Sequence, residues 1–317
     1  MTGVSTPHAG RAVAVVTGGG RGIGRAAALA LGAVGHPVCV HDTGVALDGS
    51  SPDPGPAQEV VDEIGALGGR AIAVSHDARS AADARRLVAQ VEAWAGGPPT
   101  VLVHAAGTLR DAMVHKASDE DWAEVLGSHL SVAVELTRAL AGAMRARRFG
   151  RIVYIGSPAG LVGNVGQAAY CVAKAGLFGL TRAVALEMAG RDVCVNYLAP
   201  FAYTRMTESI RPSDDRVAQY LATAPMATPD DVAPLVVWLC SDAAEGITGQ
   251  VFGARGAEVA IWSQPRPVAT TSESDGWDTP RLQAAARPLF EAHLTPVESE
   301  FDLFGGPPLP VGEKAVT

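Results

Sequence analysis

The sequence predicts an α/β fold: a doubly wound parallel sheet in three layers, with a C-terminal extension. Three observations predict it. Short β-branched runs alternate with Ala/Leu-rich stretches of helical length, which is how a parallel sheet and its crossover helices read. A glycine-rich turn stands at the first junction between such a run and a helical stretch. No segment recurs at a fixed period, which argues against a repeat array.

The elements follow in order. RAVAVVTG is the first strand, closing near Thr17, and GIGRAAALALGAVG is a helix ended by Gly35 and Pro37. VCVHD is a strand ending at Asp42. Residues 43–56, rich in Gly, Pro, Ser and Asp, read as a loop before the helix AQEVVDEIGAL. Strands AIAVSHD and TVLVHAAG flank the helix AADARRLVAQVEAWA. One long helix is expected over about 119–147, capped by Ser118 with acidic residues in its first turn. RIVYIGS is a strand, 167–189 a helix and DVCVNYLAP a strand. Thr228-Pro229-Asp230-Asp231 opens a further helix with a capping hydroxyl, a proline and two acids. The last strand lies near QVFGARG, for six or seven strands in all. Beyond Trp262 a Pro/Ser/Thr-rich stretch, one helix (RLQAAARPLFEAHL) and a Gly/Pro tail are too short for a second core. Residues 1–262 are therefore expected to form the domain. Residues 263–317 are expected as an extension packed on it or on a neighbouring subunit.

Composition narrows the function classes. A net charge of −8 is unsuited to a nucleic-acid partner, which needs a basic face, and leaves room for a small-molecule substrate. The four cysteines (Cys39, Cys171, Cys194, Cys240) show no metal-ligand spacing and are expected as reduced thiols. The first residues lack the pattern of a signal peptide, and Gly, His, Arg or Pro interrupts every apolar run before membrane-spanning length. The expectation is a cytoplasmic protein with no membrane partner.

Two constellations carry chemistry. Thr17-Gly18-Gly19-Gly20-Arg21-Gly22-Ile23-Gly24 lies between a strand and a helix, where glycines admit a tight turn close to a pyrophosphate and the helix N-terminus offers free N–H groups. In a chain with 36 glycines such a turn can also be a chance loop. Asp42, at the end of the second strand, can accept from ribose hydroxyls and repel a 2′-phosphate, or simply cap the next turn. Arg21 pulls towards a 2′-phosphate. The balance favours NAD(H) and leaves NADP(H) open. This pattern is that of a Rossmann-type domain.

The second constellation is Tyr170-Cys171-Val172-Ala173-Lys174, whose i, i+4 spacing puts phenol and ammonium on one helix face. With only three lysines in the chain the pairing is rarely a coincidence, although a surface Tyr–Lys contact would look the same. An ammonium beside a phenol, together with the positive charge of an oxidised nicotinamide, favours the phenolate, so Tyr170 is expected to exchange a proton with an alcohol or carbonyl oxygen. Ser157, at a strand end, can hold that oxygen or merely make a turn.

Together these residues resemble the short-chain dehydrogenase/reductase family: TGGGRGIG for its TGxxxGxG, YCVAK for its YxxxK, and Ser157 at the family's distance, over about residues 11–261. The resemblance implies hydride transfer between a nicotinamide cofactor and a secondary alcohol, with Ser157, Tyr170 and Lys174 catalytic. It implies that Asp77 and Ala78 lie near the adenine and that Ala105, Ala106 and Gly107 flank the cofactor. Pro200 to Thr204 would touch its nicotinamide end, with Tyr170 and Lys174 also in contact. The family's NNAG reads His104-Ala105-Ala106-Gly107 here, and its relay asparagine is replaced by His129, which can relay protons or sit as a bonded core histidine. GTLRDAM, NVGQAAY, TRMTE and VFGARGAEVAIWSQPRP are most similar to the dehydrogenase domains of peroxisomal multifunctional enzyme type 2 and its bacterial relatives. That branch oxidises 3-hydroxyacyl thioesters and, in some members, hydroxysteroids. A homodimer or homotetramer is implied. Two alternatives stay open: an NADPH-dependent biosynthetic ketoreductase, and a nucleotide-binding scaffold without turnover.

Overall fold

The computed structural model describes residues 12–46, 50, 53–212, 215–304 and 306–309. The expected strand start at Arg11, part of the loop after Asp42 and the end of the Gly/Pro tail lie outside them.

The chain runs β1 (Ala14–Thr17), α1 (Gly22–Ala33), β2 (Val38–His41), α2 (Gly55–Ala66), β3 (Ala71–Val74), α3 (Ala81–Ala95) and β4 (Val101–His104). It continues α4 (Asp119–Leu126), α5 (Val132–Arg147), β5 (Gly150–Ile155), α6 (Ala159–Val162), α7 (Ala168–Glu187) and β6 (Val193–Phe201). Then come α8 (Arg205–Glu208), α9 (Asp215–Thr223), α10 (Pro229–Cys240), β7 (Val251–Arg255), β8 (Glu258–Ile261), α11 (Thr279–Phe290) and α12 (Glu300–Leu303). The sheet order is β3-β2-β1-β4-β5-β6-β7-β8, parallel except for β8 on β7.

β1, β2, β4 and β5 are buried along their whole length, as a parallel sheet covered on both faces requires. Alternation divides their side chains between two cores. Val15, Leu102, Ile152 and Val195 pack with Leu87 of α3, Leu136 and Leu140 of α5 and Leu177 of α7. Val16, Val101, Val103 and Val153 pack with Leu31 of α1, Ile64 of α2 and Val236 of α10. This is the expected doubly wound, three-layer sheet. The chain reverses direction across the sheet between β1 and β4, and a crevice opens at their C-terminal ends, the usual ligand position in such sheets.

Four features differ from the sequence reading. The long helix is divided: α4 and α5 are joined by a π turn at Gly127–Ser131, a widened turn of the kind that collects at functional sites. β8 adds an eighth strand, because the tight turn at Gly256 and Ala257 returns the chain antiparallel. α6, α8, α9 and α12 lie in stretches read without elements. Finally, α7 is long and apolar enough by length and composition to cross a membrane. Its buried residues include Ala173, Leu177 and Val184, and it packs in the core carrying Tyr170 and Lys174.

Candidate active site

At one end of the crevice the chain turns from β1 into α1. Arg21 precedes α1 in an extended conformation and its side chain does not cap the helix, so the first N–H groups of α1 have no side-chain cap from this residue. Gly18 has φ +64°, and a Cβ on it would stand 2.8 Å from Ala106 Cα, so the two loops approach as closely as backbone allows. Thr17 ties them: its hydroxyl donates to His104 Nδ1 (2.8 Å) and accepts from Ala106 N (3.3 Å).

Both oxygens of Asp42 accept backbone N–H groups, from Gly20 (2.8 Å) and Gly44 (2.7 Å). It therefore holds the glycine turn and caps the loop after β2 while still lining the crevice. Arg21 donates towards Gly44 O and Val45 O. Arg205 of α8, unnoticed in the sequence, also lines this region; burial lowers its pKa, Arg21 lowers it further and Asp42 opposes them.

At the other end Ser157 follows β5. Its N–H donates to the Tyr197 hydroxyl, which donates in turn to Ser157 O, both at 2.9 Å. Its Oγ accepts from Ala159 N (3.1 Å) and lines the crevice with Tyr170, close enough to work against the rise in that phenol's pKa. Lys174, one turn along α7, is buried; its Nζ donates to Ile155 O at 2.7 Å and stands 5.5 Å from the Tyr170 ring centre. The i, i+4 spacing thus puts phenol and ammonium on the face that meets Ser157 and the end of β5.

His129 sits at the centre of the π turn, buried, its ring edge-on to Tyr170 at 5.3 Å. Its Nε2–H donates to Thr108 O (2.9 Å), leaving Nδ1 as a lone pair with no partner among the described residues. Its own carbonyl accepts from His104 Nε2 at 2.6 Å. Since that nitrogen must carry hydrogen, His104 Nδ1 is an acceptor and the ring is neutral. Burial, with Lys174 next, pushes the His104 pKa down to about 3 and that of His129 well below its usual range.

The chain by itself has different electrostatics from those expected with the oxidised cofactor in place. Burial raises the Tyr170 pKa, and the carboxyl group of Glu300 adds to the rise. Lys174 does not offset this, because burial lowers its own pKa to about 7 and weakens its charge near neutrality. In the chain by itself the phenol is therefore neutral, not primed as a phenolate.

Every expected site residue but one lines a single crevice: Gly18, Arg21, Gly22, Ile23, Gly24, Asp42 and Asp77 at one end, then Ala105, Ala106, Gly107 and His129, then Ser157, Tyr170, Lys174, Pro200 and Thr204. Ala78 is the exception. Its side chain is fully buried in the core, so only its neighbour Asp77 faces the crevice. Besides Arg205, sequence reasoning missed Tyr197, Asn164, Tyr220 and Glu300. The hydrogen bond from Ser157 to Glu300 spans 143 positions, a separation no local pattern reports.

Residues 18–257 match the family model described as Enoyl-(Acyl carrier protein) reductase. Hydroxyacyl-CoA dehydrogenase ChsB1 of Mycobacterium tuberculosis is 38% identical over 291 residues, covering 88% of each chain. Peroxisomal multifunctional enzyme type 2 of Mus musculus is 34% identical over 276 residues, covering 84% of this chain and 36% of that protein. A crystal structure of a short chain dehydrogenase from Mycobacterium avium superposes with a TM-score of 0.77 at 35% identity, covering 91% of this chain and 97% of the other.

Proposed function

The chain belongs to the short-chain dehydrogenase/reductase family and is an oxidoreductase that interconverts secondary alcohols and ketones; from that premise we propose that it acts on 3-hydroxyacyl or 3-oxoacyl thioesters, with NAD(H) as cofactor. The observation that carries the reading is the meeting of Ser157, Tyr170 and Lys174 at the far end of a crevice that begins at the open N-terminus of α1. The thioester class is supported by the names of the relatives, a hydroxyacyl-CoA dehydrogenase among them.

The residues fit a nicotinamide dinucleotide. Gly18 leaves a cradle that a Cβ would fill, and the first N–H groups of α1 suit a pyrophosphate. Asp42, Ala105 to Gly107, Pro200 and Thr204 line the path from there to Tyr170. When bound, the cofactor supplies the hydride acceptor or donor. The protein's part is proton transfer and orientation. Ser157 Oγ holds the substrate oxygen, and the neutral phenol of Tyr170 gives that oxygen a proton during reduction. In the oxidising direction Tyr170 accepts it as the phenolate, a form that the positive charge of the oxidised cofactor, added to what charge Lys174 keeps, would favour. His129 offers its bare Nδ1 to a proton passing beside Tyr170, so the relay expected of this position falls to an imidazole. We place the enzyme in the cytoplasm as a homodimer or homotetramer.

A second reading has its own support. Arg21 and Arg205 both stand near Asp42, a setting that also suits a 2′-phosphate and a reductase using NADPH. Absorbance assays with 3-hydroxybutyryl-CoA and acetoacetyl-CoA, run with each cofactor, test both. Tyr170→Phe is expected to keep cofactor affinity and lose activity by about a thousandfold, within the range of general acid–base contributions. Full activity in that variant would overturn the assignment. Asp42→Ala is expected to narrow the preference for NAD(H), and an unchanged preference would remove Asp42 from cofactor selection.

A further inference from the structure

A carboxyl group from the end of the described chain reaches the catalytic end of the crevice. α12 is held over the mouth by contacts outside the catalytic set. Arg216 of α9 pairs with Asp302. Phe301 lies edge-on to Tyr220 at 4.8 Å, and Phe304 packs against Phe201 at 4.9 Å. The Arg255 guanidinium covers both of the latter rings, at 5.3 and 5.1 Å, and donates to Gly306 O. Further on, Ala257 N donates to Leu309 O at 3.0 Å.

These contacts set Glu300 inside. Its Oε2 accepts from Ser157 Oγ at 3.4 Å and its Oε1 from Asn164 Nδ2 at 3.0 Å. Ser157 and Tyr170 line the crevice together, and the Glu300 carboxyl group acts on that phenol as well as on Ser157, so it stands where an alcohol or carbonyl oxygen must sit to reach both. Substrate and Glu300 need the same hydroxyl.

We propose that the segment 299–304 is a built-in competitor for the substrate: the Glu300 carboxyl group holds the seat of the reacting oxygen on Ser157, and substrate binds as the segment lifts away. This rests on the catalytic reading of Ser157 and Tyr170 above.

The surroundings say which form of the carboxyl group docks. The titratable groups facing it are Asp111 from the loop after β4, Tyr170 and Cys171 from α7, Tyr197 from β6 and Tyr220 from α9. None of these is a cation. Asp111 is linked to it through Gln167 and Asn164, both donating along the chain of amides. Burial, with the Asp111 charge behind it, raises the Glu300 pKa from 4.5 to about 7 against the hydrogen bonds from the Ala159 N–H and the Ser157 hydroxyl, which favour the carboxylate. The sign follows. A carboxyl group whose docked pKa is raised binds its seat best at low pH, and docking weakens as pH rises from 4.5 through about 7.

Two measurements on the full chain test this. In steady-state kinetics with acetoacetyl-CoA, Glu300→Ala and Phe304→Ala are expected to lower KM about tenfold, since a competing closed state multiplies apparent affinity by the open fraction. Phe304→Ala, which touches neither Ser157 nor Tyr170, is expected to keep kcat within about twofold. A KM that rises or stays unchanged in both variants overturns the proposal, because the segment then builds the substrate site or is indifferent to it. The second measurement needs no substrate. Amide hydrogen exchange over 299–304, corrected for intrinsic rates, is expected to show protection at about pH 5 that is lost at about pH 8. Glu300→Gln is expected to retain it at both. Equal protection of the parent at both pH values, or the same loss in Glu300→Gln, overturns the proposal. A chain that passes the exchange test yet turns over no thioester sinks the substrate reading and leaves the docked carboxyl group standing.

Discussion

Tyr197 holds both backbone groups of Ser157 with one hydroxyl, and that arrangement gives the serine its direction. Tyr197→Phe leaves a buried N–H and C=O without this partner and is expected to cost about 1–3 kcal/mol in urea unfolding. Turnover is expected to fall about tenfold while cofactor affinity holds, because a small misplacement at the reacting oxygen is felt in kcat. Lys174 supplies a second prediction at this scale. Burial brings its pKa to about 7, so its charge is present below that value and lost above it. Following its ammonium by NMR in the protein without cofactor is expected to give a midpoint near 7. A midpoint in the ordinary lysine range would contradict the burial of Nζ.

Among the elements, the π turn between α4 and α5 has the largest consequence for the site. It places His129 against Tyr170 and turns the His129 carbonyl to His104 at the end of β4, which Thr17 holds to β1. The close partner of this turn is Gly107. A Cβ there would lie 1.8 Å from His129 Cε1, a collision with a buried ring that has no room to yield. Gly107→Ala is expected to destabilise the protein by about 1–3 kcal/mol through overpacking and to abolish most activity by moving His129. Thermal unfolding with an activity assay on the folded fraction checks both. The sequence marks His129 as a departure from a familiar asparagine, and reads 119–147 as one unbroken helix. A widened turn keeps the apolar spacing on either side, so hydrophobic periodicity does not register it.

For the whole molecule, buried histidines shape the response to acid. His36, His41, His104 and His129 all have pKa values lowered first by burial. A histidine held neutral in the fold but free to charge when unfolded stabilises above its ordinary value of 6.5 and loses that contribution as pH falls below it. His104 and His129, the most strongly shifted, withdraw the most as pH falls below 6.5. Stability by denaturant unfolding is therefore expected to drop steeply between about pH 6.5 and 5. Replacing His104 with asparagine is expected to flatten that slope. An unchanged slope in the variant would show that His104 is already charged or exposed in the fold.

Chemistry written within a few residues was legible from the chain alone. The glycine turn, the Tyr170 and Lys174 pair, Asp42 at a strand end and the alternation of strands with helices each depend on short-range geometry, in which spacing dictates shared faces and junctions. What approaches from far along the chain was decided only by folding: Tyr197 behind Ser157, Arg205 beside Asp42, β8 on β7, and Glu300 on a serine 143 positions away. The same division holds for the electrostatics of the chain by itself. Sequence places an ammonium next to a phenol, but whether that charge survives depends on how much water the packed core leaves around it, and desolvation is a property of the whole fold.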